Sequence, residues 1–163
     1  IFGGKITTYR KLAEEVMTLV DQAANKKTEK WTAHAALPGG DFPATHFEQL
    51  VAKATTDFPF VEPVLLERLA RLYGTQLWLM LAQGEHADDL GQHFGASLYQ
   101  MEVDFLVREE WAQRADDIVF RRTKLGLRMQ PEEINALQAY LDQAAVVQSV
   151  TGFATDLDSA QVS

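Results

Sequence analysis

The chain has 163 residues, 47% of them hydrophobic and 23% charged, which suits one sizeable core and excludes an intrinsically disordered polypeptide. It contains no cysteine, which excludes a disulfide framework, a thiolate metal site and a cysteine nucleophile. A net charge of −8 argues against non-specific binding to nucleic acid or to an anionic membrane, and no apolar run is long enough to cross a bilayer.

The first ten residues read as a strand end, a tight turn and a helix start. Ile1 and Phe2 lead into Gly3-Gly4, then Lys5, Ile6, Thr7, Thr8, Tyr9 and Arg10. Glycines without a Cβ let the backbone take positive φ and let a ligand come close. Thr7 or Thr8 can cap the following helix, whose first N–H groups are open to an anion. Lys5 adds a mobile positive charge at the same place. The combination suits an electron-rich or anionic group lying over the turn; a plain connector between strand and helix is the alternative. The chain opens without methionine on a strand for which no parallel partner follows, so a piece of a longer protein is expected.

Helical spacing then runs from Thr8 to Ala24 through Leu12, Val16, Leu19 and Val20. The polar run 25–30 breaks it. Trp31 to Pro43 reads as an irregular connection around a turn, Leu37-Pro38-Gly39-Gly40-Asp41, because proline fixes φ and glycine supplies positive φ. The remainder predicts an all-helical bundle. A helix over 45–55 presents Phe47, Leu50, Val51 and Ala54. The next starts at Pro63, carries Val64, Leu65, Leu69 and Leu72, and closes at Gly74. A short apolar helix over 76–81 carries Trp78, and 85–95 reads as a polar loop. A helix over 97–109 buries Leu98, Met101, Phe105 and Leu106, with Glu102, Arg108 and Glu109 on its other side. Asp116 and Asp117 open a helix through Phe120 to Thr123 that Gly126 ends. Gln130-Pro131-Glu132-Glu133 opens the last helix, whose face is Ile134, Leu137, Leu141, Ala144 and Gln148. The tail after Gly152 is polar.

Two stretches carry a family resemblance. Phe2-Gly3-Gly4-Lys5-Ile6-Thr7-Thr8-Tyr9-Arg10 resembles the segment that closes the flavin domain of FAD-dependent respiratory glycerol-3-phosphate dehydrogenases. The stretch from Arg108 to Leu127, with Glu109-Glu110-Trp111-Ala112, Asp116-Asp117 and Arg121-Arg122-Thr123, resembles that family's C-terminal region. The Leu-Pro-Gly-Gly-Asp turn and Tyr73-Gly74 fit as well. The resemblance implies the end of an FAD-binding domain over 1–36, a C-terminal helical domain over 37–152 and a flexible tail over 153–163. It implies a whole enzyme that oxidises sn-glycerol 3-phosphate to dihydroxyacetone phosphate, passing hydride to FAD and electrons to quinone. That enzyme would sit at the inner face of the cytoplasmic membrane, with its glycine fingerprint upstream of Ile1 and with homo-oligomers possible. Lys5 is then the expected catalytic residue, with Gly3, Gly4, Lys5, Ile6, Thr7 and Thr8 at the FAD edge. The piece alone is expected to be inactive.

Other candidates weigh less. Arg121, Arg122, Lys124 and Arg128 form a basic cluster that could hold a phosphate or an acidic partner, but pairing with Asp116, Asp117, Glu109 or the flavin domain is the expected outcome. His34, His46, His86 and His93 lack metal-ligand spacing, and no metal site is expected at His86, Asp88, Asp89 and His93. Trp78, Phe94, Phe105 and Trp111 are expected in the core. The rival readings are a non-catalytic helical interaction or dimerisation module, favoured by any exposed apolar face on 64–78, and the oxidase branch that reduces oxygen.

Overall fold

The computed structural model describes residues 5–144, which are mainly helical, with one short two-stranded ribbon. The chain divides into two compact units, Ile1–Asp41 and Phe42–Ser163.

In the first unit, helix α1 (Tyr9–Ala24) follows directly on a 3-10 turn, Ile6–Thr8. Leu12 and Val16 of its stripe are half-buried, while Met17, Leu19 and Val20 remain exposed. Asn25 ends the helix in the left-handed conformation (φ 52°), which lets the Lys26 N–H reach the Asp21 carbonyl at 2.9 Å. Two clasps fold the next segment back along α1. Asp21 Oδ2 accepts from the Thr28 N–H (2.9 Å) and hydroxyl (2.6 Å), and Glu14 Oε1 accepts from the Thr32 hydroxyl (2.7 Å). The expected turn forms farther on: Gly39 takes φ 79° and the Gly40 N–H meets the Leu37 carbonyl at 2.8 Å, a type II pattern behind Pro38.

In the second unit, α2 (Phe47–Asp57) packs on α3 (Pro63–Tyr73), and α4 (Gln76–Leu81) follows at once. Pro63 occupies the first turn of α3 and Gly74 closes it at φ 53°, both as the sequence suggests. The buried face of α3 differs from the expected stripe. Val64 and Leu72 are exposed, and Leu66, Ala70 and Tyr73 join Leu65 and Leu69 inside. Two adjacent stripes of similar hydrophobicity run along this helix, and only packing chooses between them.

The expected loop over 85–95 holds a 3-10 turn, Ala87–Leu90, and a strand, β1 (His93–Gly95), antiparallel to β2 (Leu98–Tyr99). Ala96 and Ser97 connect them with φ of 44° and 69°, the positive pair of a two-residue hairpin turn. The next helix, α5 (Gln100–Glu110), therefore begins three residues later than expected, since Leu98 and Tyr99 belong to the ribbon. A π-helical turn, Asp117–Arg122, then stands where an ordinary helix is expected. It stops at Lys124, which is left-handed at φ 61°, and Gly126 lies inside the 3-10 turn Leu125–Leu127. The last helix, α6, spans 131–144 within the described residues, with Leu137 and Leu141 buried and Ile134 against them. Gln148 and the tail after Gly152 lie outside the described residues, as do Gly3 and Gly4.

The core of this unit joins α3, α4, β2, α5, the π turn and α6 through Leu66, Leu77, Leu98, Phe105, Ile118 and Leu137, none more than 1% exposed. Full burial of each such side chain contributes about 1.5–3 kcal/mol relative to exposure.

Candidate functional site

Lys5 is extended (φ −88°, ψ 133°) and exposed, and it leads into the 3-10 turn that begins α1. Its carbonyl accepts from the Thr8 N–H at 3.0 Å and the Thr8 hydroxyl at 3.3 Å. Neither Thr7 nor Thr8 therefore caps the helix through its side chain, contrary to expectation. The tight 3-10 entry turns the Thr8 hydroxyl backward onto Lys5 and away from the N–H groups of α1. The first-turn N–H groups of Ile6 and Thr7 have no acceptor within the helix. Ile6 is 87% exposed and Thr7 and Thr8 are exposed, so the whole described part of the turn is open to a ligand.

One turn along α1, Glu14 is buried while carrying a charge. The Thr32 hydroxyl and then the Arg10 guanidinium, 2.7 Å away, hold its carboxyl below the usual range against the opposing effect of burial. This pins the return segment and fixes the start of α1 behind Lys5.

The second unit contains a buried polar network that the sequence reading missed. Arg68 of α3 grips Glu102 of α5 with both terminal nitrogens, at 2.8 Å and 2.6 Å, and Nη2 also donates to the Ser97 carbonyl at 2.8 Å. The Tyr73 hydroxyl donates to Glu102 Oε1 at 2.7 Å. Glu102 is 2% exposed, although it was assigned to the solvent face of its helix. Burial, then the neighbouring Glu102 carboxylate, pushes the Tyr73 phenol well above its ordinary range, so it stays a donor. The available signal was Arg68 itself, set between Leu65, Leu66 and Leu69 on an apolar helix. The network ties α3, α5 and the hairpin together. The cavity that Glu102 lines with Leu65, Leu69 and Tyr99 holds only about 10 Å³.

The basic cluster is largely paired within its own segment. Asp117 accepts from the Gln113 (3.1 Å) and Arg114 (3.0 Å) N–H groups, which lower its carboxyl, and it receives Arg121 at 3.1 Å. Arg122 uses Glu110 in place of Glu109. Its Nη2 donates to the Glu110 carbonyl, Nε lies 3.5 Å from Glu110 Oε2, and Nη1 donates to the Asp117 carbonyl at 3.3 Å. Glu109 pairs instead with Arg108 at 2.7 Å. Trp111, expected in the core, is 84% exposed and left-handed at φ 55°. It sits where α5 ends, with the Ala112 N–H reaching back to the Leu106 carbonyl at 3.1 Å, a closure that needs a left-handed residue before it. Of the other expected core aromatics, Phe94 and Phe105 are buried and Trp78 is half-buried, its Nε1 donating to Asp57 at 2.7 Å.

A cleft of about 580 Å³ is lined by residues including Met80, Gln83, Gln100, Met101, Asp104 and Arg108. Asp104 already accepts from Tyr140 at 2.6 Å, and burial followed by that bond pushes the Tyr140 phenol up to about 12. Asp89 is similarly engaged, accepting from the Glu85 and His86 N–H groups at 2.8 Å each. Among the described residues no group of three or more His, Asp or Glu is placed to hold a metal ion, and no helix is long and apolar enough to cross a membrane.

A family model for the C-terminal domain of alpha-glycerophosphate oxidase matches residues 30–150. The chain belongs to this family. It is 43% identical over 141 residues to the glycerol-3-phosphate dehydrogenase of Pseudomonas aeruginosa, a match covering 86% of this chain and 27% of the relative. The D-erythritol 1-phosphate dehydrogenase of Brucella abortus is 35% identical, over 90% of this chain and 29% of the relative. The aerobic glycerol-3-phosphate dehydrogenase of Escherichia coli is 35% identical, over 86% of this chain and 28% of the relative. The chain thus spans under a third of the length of these relatives, in their C-terminal part. The resemblance seen in the sequence is to this same group of proteins.

Proposed function

We propose that this chain is the C-terminal part of a flavoenzyme that oxidises sn-glycerol 3-phosphate to dihydroxyacetone phosphate. The observation that carries the reading is the family match over 30–150 together with a 43%-identical glycerol-3-phosphate dehydrogenase. Most of the active site belongs to the upstream part of the enzyme, and residues 1–36 close its FAD-binding domain. Lys5 and the N–H groups of Ile6 and Thr7 would lie at the edge of a bound FAD, which would supply hydride acceptance from C2 of the substrate and onward electron transfer to quinone at the inner face of the cytoplasmic membrane.

The described residues fit a flavin edge. Lys5 is exposed and extended, and the Ile6 and Thr7 N–H groups beside it lack helical acceptors. Lys5 favours negative charge on the flavin or on bound substrate, and the N–H groups act in the same sense without reorganising. Thr8 braces the turn through the Lys5 carbonyl, and Gly3 and Gly4, outside the described residues, would present no Cβ to the flavin. The Arg10–Glu14 pair lies within α1, and Thr32 on the same carboxylate ties the return segment to the helix just behind this turn.

The test uses the full-length parent. Flavin absorbance and glycerol 3-phosphate-dependent dye reduction are expected, and Lys5→Ala lowers turnover at least tenfold with the flavin retained. Unchanged kinetics would remove Lys5 from the mechanism, and a colourless, inert parent would sink the flavoenzyme reading. Transfer to oxygen is a second reading, favoured by the family model being that of an oxidase. Substrate-dependent oxygen uptake without added dye separates it from quinone reduction.

A further inference from the structure

We draw no further inference here: the strongest candidate, the trough across α5 where the cleft beside Met80 and Met101 meets a second cavity beside Tyr140 at Asp104 and Arg108, carries none, because Asp104 is already engaged by Tyr140 and Arg108 by Glu109, and nothing in the structure shows what fills it.

Discussion

Removing the carboxylate of Glu102 is the sharpest test of what holds the helical unit together. Glu102 is 2% exposed and receives two bonds from Arg68 and one from Tyr73. Unit charges about 4 Å apart attract by roughly 4 kcal/mol at an effective dielectric of about 20. Glu102→Ala leaves the Arg68 guanidinium, whose side chain is 17% exposed, without its counter-charge, and leaves the Tyr73 hydroxyl without an acceptor. Stranding one partner of a buried pair costs about 3–5 kcal/mol, and the orphaned hydroxyl falls partly within that figure because the three groups act as one network. The assay is urea denaturation of the chain followed by circular dichroism, with the slope checked for constancy. Replacing all three groups by apolar residues, as in Arg68→Met, Tyr73→Phe, Glu102→Leu, should recover most of the loss, since well-packed apolar groups need no partners. A Glu102→Ala loss below about 1 kcal/mol would refute the reasoning, because it would mean the pair is solvated in solution. A triple variant as unstable as Glu102→Ala would show that the network matters for anchoring the Ser97 carbonyl and the hairpin, not for its charges.

Other outcomes follow from the same geometry. Trp111→Gly relieves a left-handed residue at about 1–2 kcal/mol and gives back about 0.4–1 kcal/mol through the looser unfolded chain. The chain should therefore gain about 0.5–1 kcal/mol in urea denaturation, and a loss would mean that the exposed indole packs in solution. Ala96→Asn with Ser97→Gly places residues that accept positive φ in the hairpin turn, and the melting temperature should rise by a few degrees, whereas a fall would show a different turn. Glu14 has a depressed pKa, so its contribution is fully present above the ordinary glutamate range near ~4.3 and fades as pH falls through the lower folded-state value. Between neutral pH and about 5 the clasp should hold; below about 4 the exchange protection of the α1 amides should drop, and Glu14→Gln should abolish that extra acid sensitivity. Acid-independent protection would remove the clasp from the account.

Much of the fold was legible because its signals are local. Proline at the start of α3 and glycine at its end act within one turn, and the Pro38-Gly39 turn needs only its own residues. The hairpin was illegible for the complementary reason. Its two turn residues are alanine and serine, which carry no preference for positive φ, and their state is held from a distance by Arg68 on the Ser97 carbonyl. The same distant tie hid Glu102. An acidic residue one step from Arg-facing positions reads as solvated until α3 and α5 are brought together, 34 residues apart in sequence.

The site divides along a similar line. Lys5, Ile6, Thr7 and Thr8 were singled out because a glycine pair, a cation and a helix start crowd into one short stretch, and their exposure leaves that reading open to test. The capping role assigned to the threonines failed because a 3-10 entry changes which carbonyl the Thr8 hydroxyl can reach, and residue identity does not distinguish a 3-10 entry from an α entry. Trp111 is the more instructive miss. Hydrophobicity predicts burial, and in the described structure Trp111 is among the most exposed large side chains, on a backbone that would favour glycine. The left-handed backbone has a local cause, the closure of α5 by the Ala112 N–H on the Leu106 carbonyl, so the exposure of the indole is the one rule it breaks. In that respect Trp111 stands with the stripe Met17, Leu19 and Val20, because large apolar side chains are not barred from the surface one at a time, and hydrophobicity read along a chain cannot tell which of them will lie there.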